Sequence, residues 1–296
     1  MTMMKSLKGM VMMMMKPHSL IPFRSASVSV SLHSSRYDNS HHDDTYKPNH
    51  NTRANNKKLN NKTEPFSLIL PRSTESLCGI EKQENLESSC LILGSGLVLL
   101  KNYISVSDQV EIVNTCQEFG MGRGEFYLPN NNNKGRYLMC FGRNWDPIKK
   151  YDSKKNAPPL PHQLISLAVT SIKDSQAFDD VMPSMEPDIC LVNFYTTAGR
   201  LALHQDLSES KSSLKRGLPV VTVSVGDAAK FLYGNNEDVN KANEALLESG
   251  DVLIFGGKSR LIYHGVKNII PNSAPLSLLQ QTMLKPGRLS LTFRQF

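Results

Sequence analysis

Ile189-Cys-Leu-Val-Asn-Phe-Tyr195 marks a change of pattern in the 296-residue chain. Upstream, apolar residues recur at helical spacing or are scarce. From Ile189 onward they fall into short runs: Ile189 to Tyr195, Leu201 to His204, Val220 to Val225, Phe231 to Tyr233, Val252 to Phe255 and Leu289 to Arg294. Gly199, Gly226, Gly234, Gly250, Gly256-Gly257, Gly265 and Gly287 punctuate them. Several short strands with glycine turns predict a sandwich or jelly roll. The class is therefore α+β, mainly β.

Two helices are expected before this region. Asp108 and Glu111 offer a capping box ahead of Ile112, Val113, Cys116 and Phe119. A second helix is predicted from Pro161 to Ala177, with Leu164, Ala168 and Ile172 as its core stripe. Ile92 to Leu100 reads as a strand or strand pair around Gly94-Ser-Gly96. Between the helices, Gly120 to Pro159 is rich in Gly, Asn, Lys and Pro, and so long an irregular stretch fits a functional lid. Arg123, Lys134, Arg136 and Arg143, interleaved with aromatics, suit it to phosphates and an extruded base; a solvated loop is the plainer reading.

The N-terminal residues differ in kind. Residues 38–65 hold few large aliphatics and read as a disordered linker. Residues 1–37 contain no Asp or Glu, five Lys or Arg and a Ser-rich run, which is the composition of an organelle transit peptide. A chloroplast or mitochondrial address follows if that segment is used, and nucleus and cytoplasm otherwise. The organisation expected is 1–37 transit-like, 38–65 linker, 66–187 helices and lid, and 188–296 β core.

Composition narrows the function classes. The net charge of +7 fits a polyanionic partner such as nucleic acid, or follows in part from the basic leader. Five widely spaced cysteines without a CxxC motif suggest neither a disulfide framework nor a zinc finger. No apolar run approaches a membrane span, and a monomer without membrane contact is expected.

The chemistry-bearing residues lie in the β region. His204 and Asp206 are at i and i+2, so on a strand both side chains point to one face. Downstream of Ile189 the chain has only one other histidine, His264. Two imidazoles and a carboxylate on one face of a metal form the facial triad of non-haem Fe(II) oxygenases. Arg288 and Arg294 share a face of one strand, and two guanidinium groups suit a dicarboxylate such as 2-oxoglutarate. Leu289, Leu291 and Phe293 alternate with them, so the arginine face is either solvent or a polar cavity. The bland alternatives are a surface histidine, a turn-forming acid and edge-strand arginines.

Taken in order, these segments resemble the AlkB family of Fe(II)/2-oxoglutarate-dependent nucleic-acid demethylases. The resemblance runs through Asp188-Ile-Cys-Leu-Val-Asn193-Phe-Tyr195 and Leu201-Ala-Leu-His204-Gln-Asp206. It continues in Leu218 to Gly226, Gly250 to Gly257, Ser259-Arg-Leu-Ile-Tyr-His264-Gly and Arg288-Leu-Ser-Leu-Thr-Phe-Arg294-Gln. It covers over a third of the chain closely, and Leu91 to Pro187 more loosely.

The resemblance implies a double-stranded β-helix with N-terminal helices and a nucleotide-recognition lid. It implies Fe(2+) held by His204, Asp206 and His264. Asn193, Tyr195, Arg288, Ser290 and Arg294 would contact 2-oxoglutarate. O2 would be the second co-substrate, and DNA or RNA carrying N-methylated bases the partner. An N-methyl group would be oxidised and leave as formaldehyde, with succinate and CO2 as by-products. N6-methyladenine in DNA is the expected substrate, with 1-methyladenine or 3-methylcytosine repair, or a tRNA-modifying oxygenase, as alternatives. Rivals are a weakly catalytic nucleic-acid binder that keeps the fold, and an oxygenase acting on protein or a small molecule.

Three departures from the family bear on this. Ser290 replaces the Asn between the arginines, Ser208 replaces a base-reading acid, and an insertion falls near Pro271 to Pro286. Glu209 would substitute for the missing acid. Tyr137 and Arg136 are expected at the substrate, and the family's stacking Trp falls in the Asn130 to Asn133 run. Phe126 or Tyr127 would then supply the aromatic face; Trp145 is another candidate, although it reads better as a core residue.

Overall fold

The computed structural model describes residues 65–67, 88–120, 126–128, 135–146, 148, 150–152 and 157–296, and the backbone of 12–14. The transit-like and linker readings therefore lie almost wholly outside the described residues, as do Arg123, the Asn130 to Asn133 run and Lys134.

Among the described residues, fourteen strands and four helices follow one another. The strands are β1 (Met12–Met14), β2 (Ser89–Gly94), β3 (Leu97–Lys101), β4 (Arg136–Phe141), β5 (Asn144–Asp146), β6 (Lys150–Asp152) and β7 (Ile189–Tyr195). Then come β8 (Leu201–His204), β9 (Val220–Gly226), β10 (Ala229–Gly234), β11 (Asn243–Leu247), β12 (Val252–Phe255), β13 (Tyr263–Ile269) and β14 (Arg288–Arg294). The helices are α1 (Val106–Gly120), α2 (His162–Gln176), α3 (Lys211–Lys215) and α4 (Leu276–Gln281). None is long and apolar enough to cross a membrane. The four described cysteines are free and buried.

An eight-stranded sheet runs β1-β2-β3-β12-β9-β14-β7-β4, and a four-stranded sheet runs β11-β10-β13-β8. The large sheet draws strands from both sides of residue 187. Its two faces differ, and period-2 alternation explains the difference. In β14, Leu289, Leu291 and Phe293 join the main core, as do Cys190, Val192 and Phe194 of β7 and Val221, Val223 and Val225 of β9. Helices α1 and α2 cover that face through Ile112, Val113 and Cys116 and through Leu164, Ala168 and Ile172. The opposite face turns toward the small sheet, and the two enclose a cavity. This is the jelly roll expected.

The start of α1 differs from the sequence reading. Ser105 is the cap: its hydroxyl accepts from the Asp108 amide at 3.2 Å and donates to the Asp108 carboxylate at 2.7 Å. Asp108 is thus the third helical residue rather than the cap, and Glu111 plays no part in capping. Helix α2 lies within its expected bounds, flanked by Pro161 and Ala177.

The loop near Pro271 to Pro286 contains α4 and packs inward. Leu278, Thr282 and Leu284 are buried, and Asp227 accepts from the Ser273 and Ala274 amides at 3.0 Å each. This loop also receives the segment at Phe66. The Ser67 amide donates to Met283 and the Lys285 amide donates to Pro65, at 2.8 and 3.0 Å. Phe66 is 1% exposed and meets Phe126 edge-on at 5.9 Å. Phe66→Ala is therefore expected to cost about 3–5 kcal/mol of stability. Urea unfolding would measure this; an unchanged midpoint would show that the segment is not part of the core.

Candidate metal and oxidation site

The small sheet positions two imidazoles. His264 and His204 are directly opposite each other in the antiparallel β13–β8 pair, and their ring centroids are 4.5 Å apart. Sixty residues of chain separate them, yet pairing makes them neighbours. The register shifts between His264 and Val266, at Gly265. A Cβ on Gly265 would meet the Leu201 carbonyl oxygen at 2.5 Å, so only glycine lets β13 approach β8 this closely.

Asp206 completes the group from a different conformation than expected. Strand β8 ends at His204, so the pair does not share one strand face. The chain leaves the sheet and curls back instead. Asp206 Oδ1 lies 3.6 Å from His204 Nε2, and Oδ2 lies 3.7 Å from His264 Nε2. All three potential ligand atoms fall within 4.8 Å of one another. Each histidine's Nδ1 donates to a backbone carbonyl, Ala202 at 3.0 Å and Ile262 at 3.1 Å. That fixes the tautomer and leaves both Nε2 lone pairs turned toward the shared space. Burial holds the His264 imidazole down at about 4, against the pull of Asp206, so it is neutral near pH 7. Burial opposes ionisation of Asp206, but Arg294 and the two histidines outweigh it and hold its carboxyl well below the usual range. A neutral imidazole and an ionised carboxylate are the states that bind a divalent metal.

The two arginines of β14 sit in one cavity and do different things there. Arg294 Nη2 and Nε donate to Asp206 Oδ2 at 2.5 and 3.1 Å, and Nε lies 2.8 Å from Glu209 Oε1. Its charge is thus matched by two carboxylates, whereas that of Arg288 is not. Arg288 is 1% exposed, donates to Ser224 Oγ at 2.7 Å and to the Leu247 carbonyl at 3.3 Å, and among the described residues has no carboxylate in ion-pair range. Its Nε has no hydrogen-bond partner. Burial lowers its guanidinium to about 10, with Tyr195 and Asp251 opposing. A buried, uncompensated cation beside a metal-ligand set fits a carboxylate that is to arrive from outside.

The cavity, about 310 Å³, takes its lining from both sheets. Asn193, Tyr195, Ser290, Arg136 and Ser208 all line it. Asn193 is paired in register with Ser290 and Leu138, and Arg288 and Arg136 flank Tyr195. Arg136 donates to Asn193 Oδ1 at 3.5 Å, and its charge lies close enough to the Tyr195 hydroxyl to favour the ionised phenol.

Several substrate readings change. Tyr137 alternates with Arg136 on β4, so its ring is on the helix side, 6.5 Å from Phe194, and it does not line the cavity. Glu209 is no substitute base reader. Its carboxylate is buried between Arg294 and Arg260, whose Nη2 is 3.0 Å away. Arg260 also donates to the Asp206 carbonyl at 2.9 Å, and so fastens the ligand loop to the turn before β13. Sequence reasoning missed this role, although Arg260 stands in the quoted His264 motif. Phe126 is a core residue against Phe66, not an aromatic wall. Tyr127 is half-buried, and its hydroxyl donates to the Trp145 carbonyl at 2.6 Å. Trp145, favoured from sequence as a core residue, is half-buried on the β5–β6 hairpin and lines the cavity. Its indole Nε1 donates to Ser208 Oγ at 3.4 Å.

Comparisons with known proteins agree with this geometry. The 2OG-Fe(II) oxygenase superfamily matches residues 96–294. Two Arabidopsis thaliana proteins named DNA N(6)-methyladenine demethylase are similar to the chain. These are ALKBH1C, 46% identical over 224 residues, and ALKBH1D, 48% identical over 222. Each alignment covers 69% of this chain but only 49% and 50% of the relatives, so the chain spans about half the length of the curated relatives it matches. A solved structure described as "The structure of OsALKBH1" is 47% identical with a TM-score of 0.67, covering 70% of this chain and 100% of that one.

Proposed function

The chain belongs to the AlkB family of 2OG-Fe(II) oxygenases, and from that premise we propose that it oxidatively demethylates N-methylated bases in nucleic acid, N6-methyladenine in DNA first. Iron, 2-oxoglutarate and O2 supply the oxidation of the methyl C–H bond, with succinate, CO2 and formaldehyde released. His204, Asp206 and His264 are the residues that would hold the metal. Arg288, with Tyr195 and Asn193 beside it, is the anchor for the co-substrate's carboxylate. Arg294 and Arg260 keep Asp206 and its loop in place. Trp145 offers an aromatic face at the cavity wall, where a base extracted from its stack would lie.

One observation carries the choice of substrate. The only carboxylates lining the cavity among the described residues are Asp206 and Glu209, and both are paired with arginine. The cavity also holds Arg136, Lys150 and Arg288. 1-Methyladenine and 3-methylcytosine are cations at neutral pH and need a free acid to offset that charge. N6-methyladenine is neutral, and Ser208 beside Trp145 suits a neutral, hydrogen-bonding base edge.

The test is incubation of the full chain with Fe(II), 2-oxoglutarate and ascorbate on oligonucleotides carrying N6-methyladenine, 1-methyladenine or 3-methylcytosine, with nucleosides read by mass spectrometry. Conversion of N6-methyladenine to adenine is expected to exceed the others, with matching formaldehyde. Preference for a cationic base would overturn the substrate assignment. In the same assay Trp145→Ala is expected to weaken oligonucleotide binding by about 1–3 kcal/mol, the value of one base stack. The 2-oxoglutarate requirement should be unchanged.

A further inference from the structure

Of the cations that the sequence offered for phosphate contact, the two among the described residues already have partners. Arg136 points into the cavity toward Asn193 and Tyr195. Arg143 lies over the Phe296 ring at 4.3 Å, with Nε 3.7 Å from Asp188. A second group of cations has no such partners. Helix α3 begins three residues after Ser208, which lines the cavity wall. Its Lys211 and Lys215 are exposed and one turn apart, about 6 Å along the axis. Arg216 follows, also exposed. The Gly257 amide donates to the Gly217 carbonyl at 2.8 Å, which sets exposed Lys258 against the end of α3 beside Arg216.

The charge here is one-sided. From Leu207 to Pro219 the only acid is Glu209, and it is buried between Arg260 and Arg294. None of the four cations has a side-chain hydrogen bond or ion pair within the described residues. The face stays rigidly tied to the catalytic loop. Ser210 caps α3 by accepting from the Ser213 amide at 3.1 Å, Ser213 is buried, and Arg260 grips both Glu209 and the Asp206 carbonyl.

We propose that Lys211, Lys215, Arg216 and Lys258 form a phosphate-binding face that guides a single DNA strand past the cavity on the Ser208 side. This rests on the nucleic-acid reading above. The strand's target base enters beside Trp145, and the phosphates flanking it on one side run along α3. Lys150, exposed on the β5–β6 hairpin at the cavity, meets the strand on the other side. Phosphate contacts of this kind set position and affinity without reading sequence.

The experiment is binding of an unmodified, fluorescently labelled single-stranded DNA to the full chain across a sodium chloride series. Each phosphate contact contributes about 0.7 to the slope of log affinity against log salt. Lys211→Gln/Lys215→Gln/Arg216→Gln is expected to flatten the slope by about 2, and Lys258→Gln alone by about 0.7. The charge-keeping Lys211→Arg/Lys215→Arg variant should retain the native slope. The melting temperature and 2-oxoglutarate binding report whether each variant is folded, and Lys258→Gln serves as the test if the triple variant is not. Native slopes in the folded neutral variants, or no DNA binding by the native chain, would overturn the proposal. Failure of the native chain to demethylate N6-methyladenine would instead overturn the substrate reading, because the unmodified probe measures the phosphate face alone.

Discussion

Asp206→Ala is expected to abolish turnover and also to lower the stability of the fold, whereas His204→Ala should do only the first. The two residues stand two positions apart, but their surroundings differ. The His204 side chain is 37% exposed, and beyond Asp206 its one recorded hydrogen bond is to a backbone carbonyl. Removing it costs a metal ligand and little else. Asp206 is the main counter-charge of buried Arg294. Removing one partner of such a pair leaves an uncompensated charge, at about 3–5 kcal/mol. Both variants should lose more than about 100-fold in turnover, the upper end of what losing a supporting group costs. Urea unfolding followed by the fluorescence of Trp145, the single tryptophan, separates them. Equal stabilities for the two variants would mean that Arg294 does not depend on Asp206. Full activity in either would remove that residue from the metal set.

Arg288→Met is expected to weaken 2-oxoglutarate binding by about one to two powers of ten, since a hydrogen bond to a charged group contributes about 1.5–3 kcal/mol. The fold should not suffer. Arg288 has no acid partner to strand, and its Nε is already without a hydrogen bond. An apolar side chain of similar reach removes a desolvated charge, so stability without co-substrate should stay level or rise. Arg294→Met should do the reverse, with a loss of about 3–5 kcal/mol, because Asp206 and Glu209 lose their shared partner. Calorimetric titration of 2-oxoglutarate with matched unfolding curves decides the matter. If both variants bind 2-oxoglutarate as the native chain does, the carboxylate anchor lies elsewhere.

This contrast also shows where the sequence stops being legible. Strands β7, β8, β9, β12 and β14 could be read because each joins a short apolar run to a glycine turn, and the triad could be read because histidine is scarce there. Nothing local separates Arg288 from Arg294. Both are inward positions of one strand, and only the tertiary placement of Asp206 and Glu209 decides which is matched. The side taken by Tyr137 was not legible for a related reason. In Arg136-Tyr-Leu-Met-Cys-Phe141 both faces are largely buried, so polarity does not alternate and the side facing the cavity is hidden. Strand β13 was overlooked because Gly265 interrupts Tyr263 to Ile269 at the bulge that the site requires. The cap of α1 went to the wrong residue because Asp108 serves Ser105 from the third position and resembles a cap itself.

In the small sheet, β8 is the outermost strand and touches only β13 within it. Four residues of an edge strand make a weak attachment, and such edges are where a sheet opens first. His204 and His264 face each other across that one attachment. A metal ion gripped by both would act as a rivet through an edge seam of the small sheet, closing that edge while assembling the reactive centre. Iron scarcity would then register as mechanical loosening of the protein as well as lost chemistry, since whatever binds only the closed form adds its binding free energy to that form's stability.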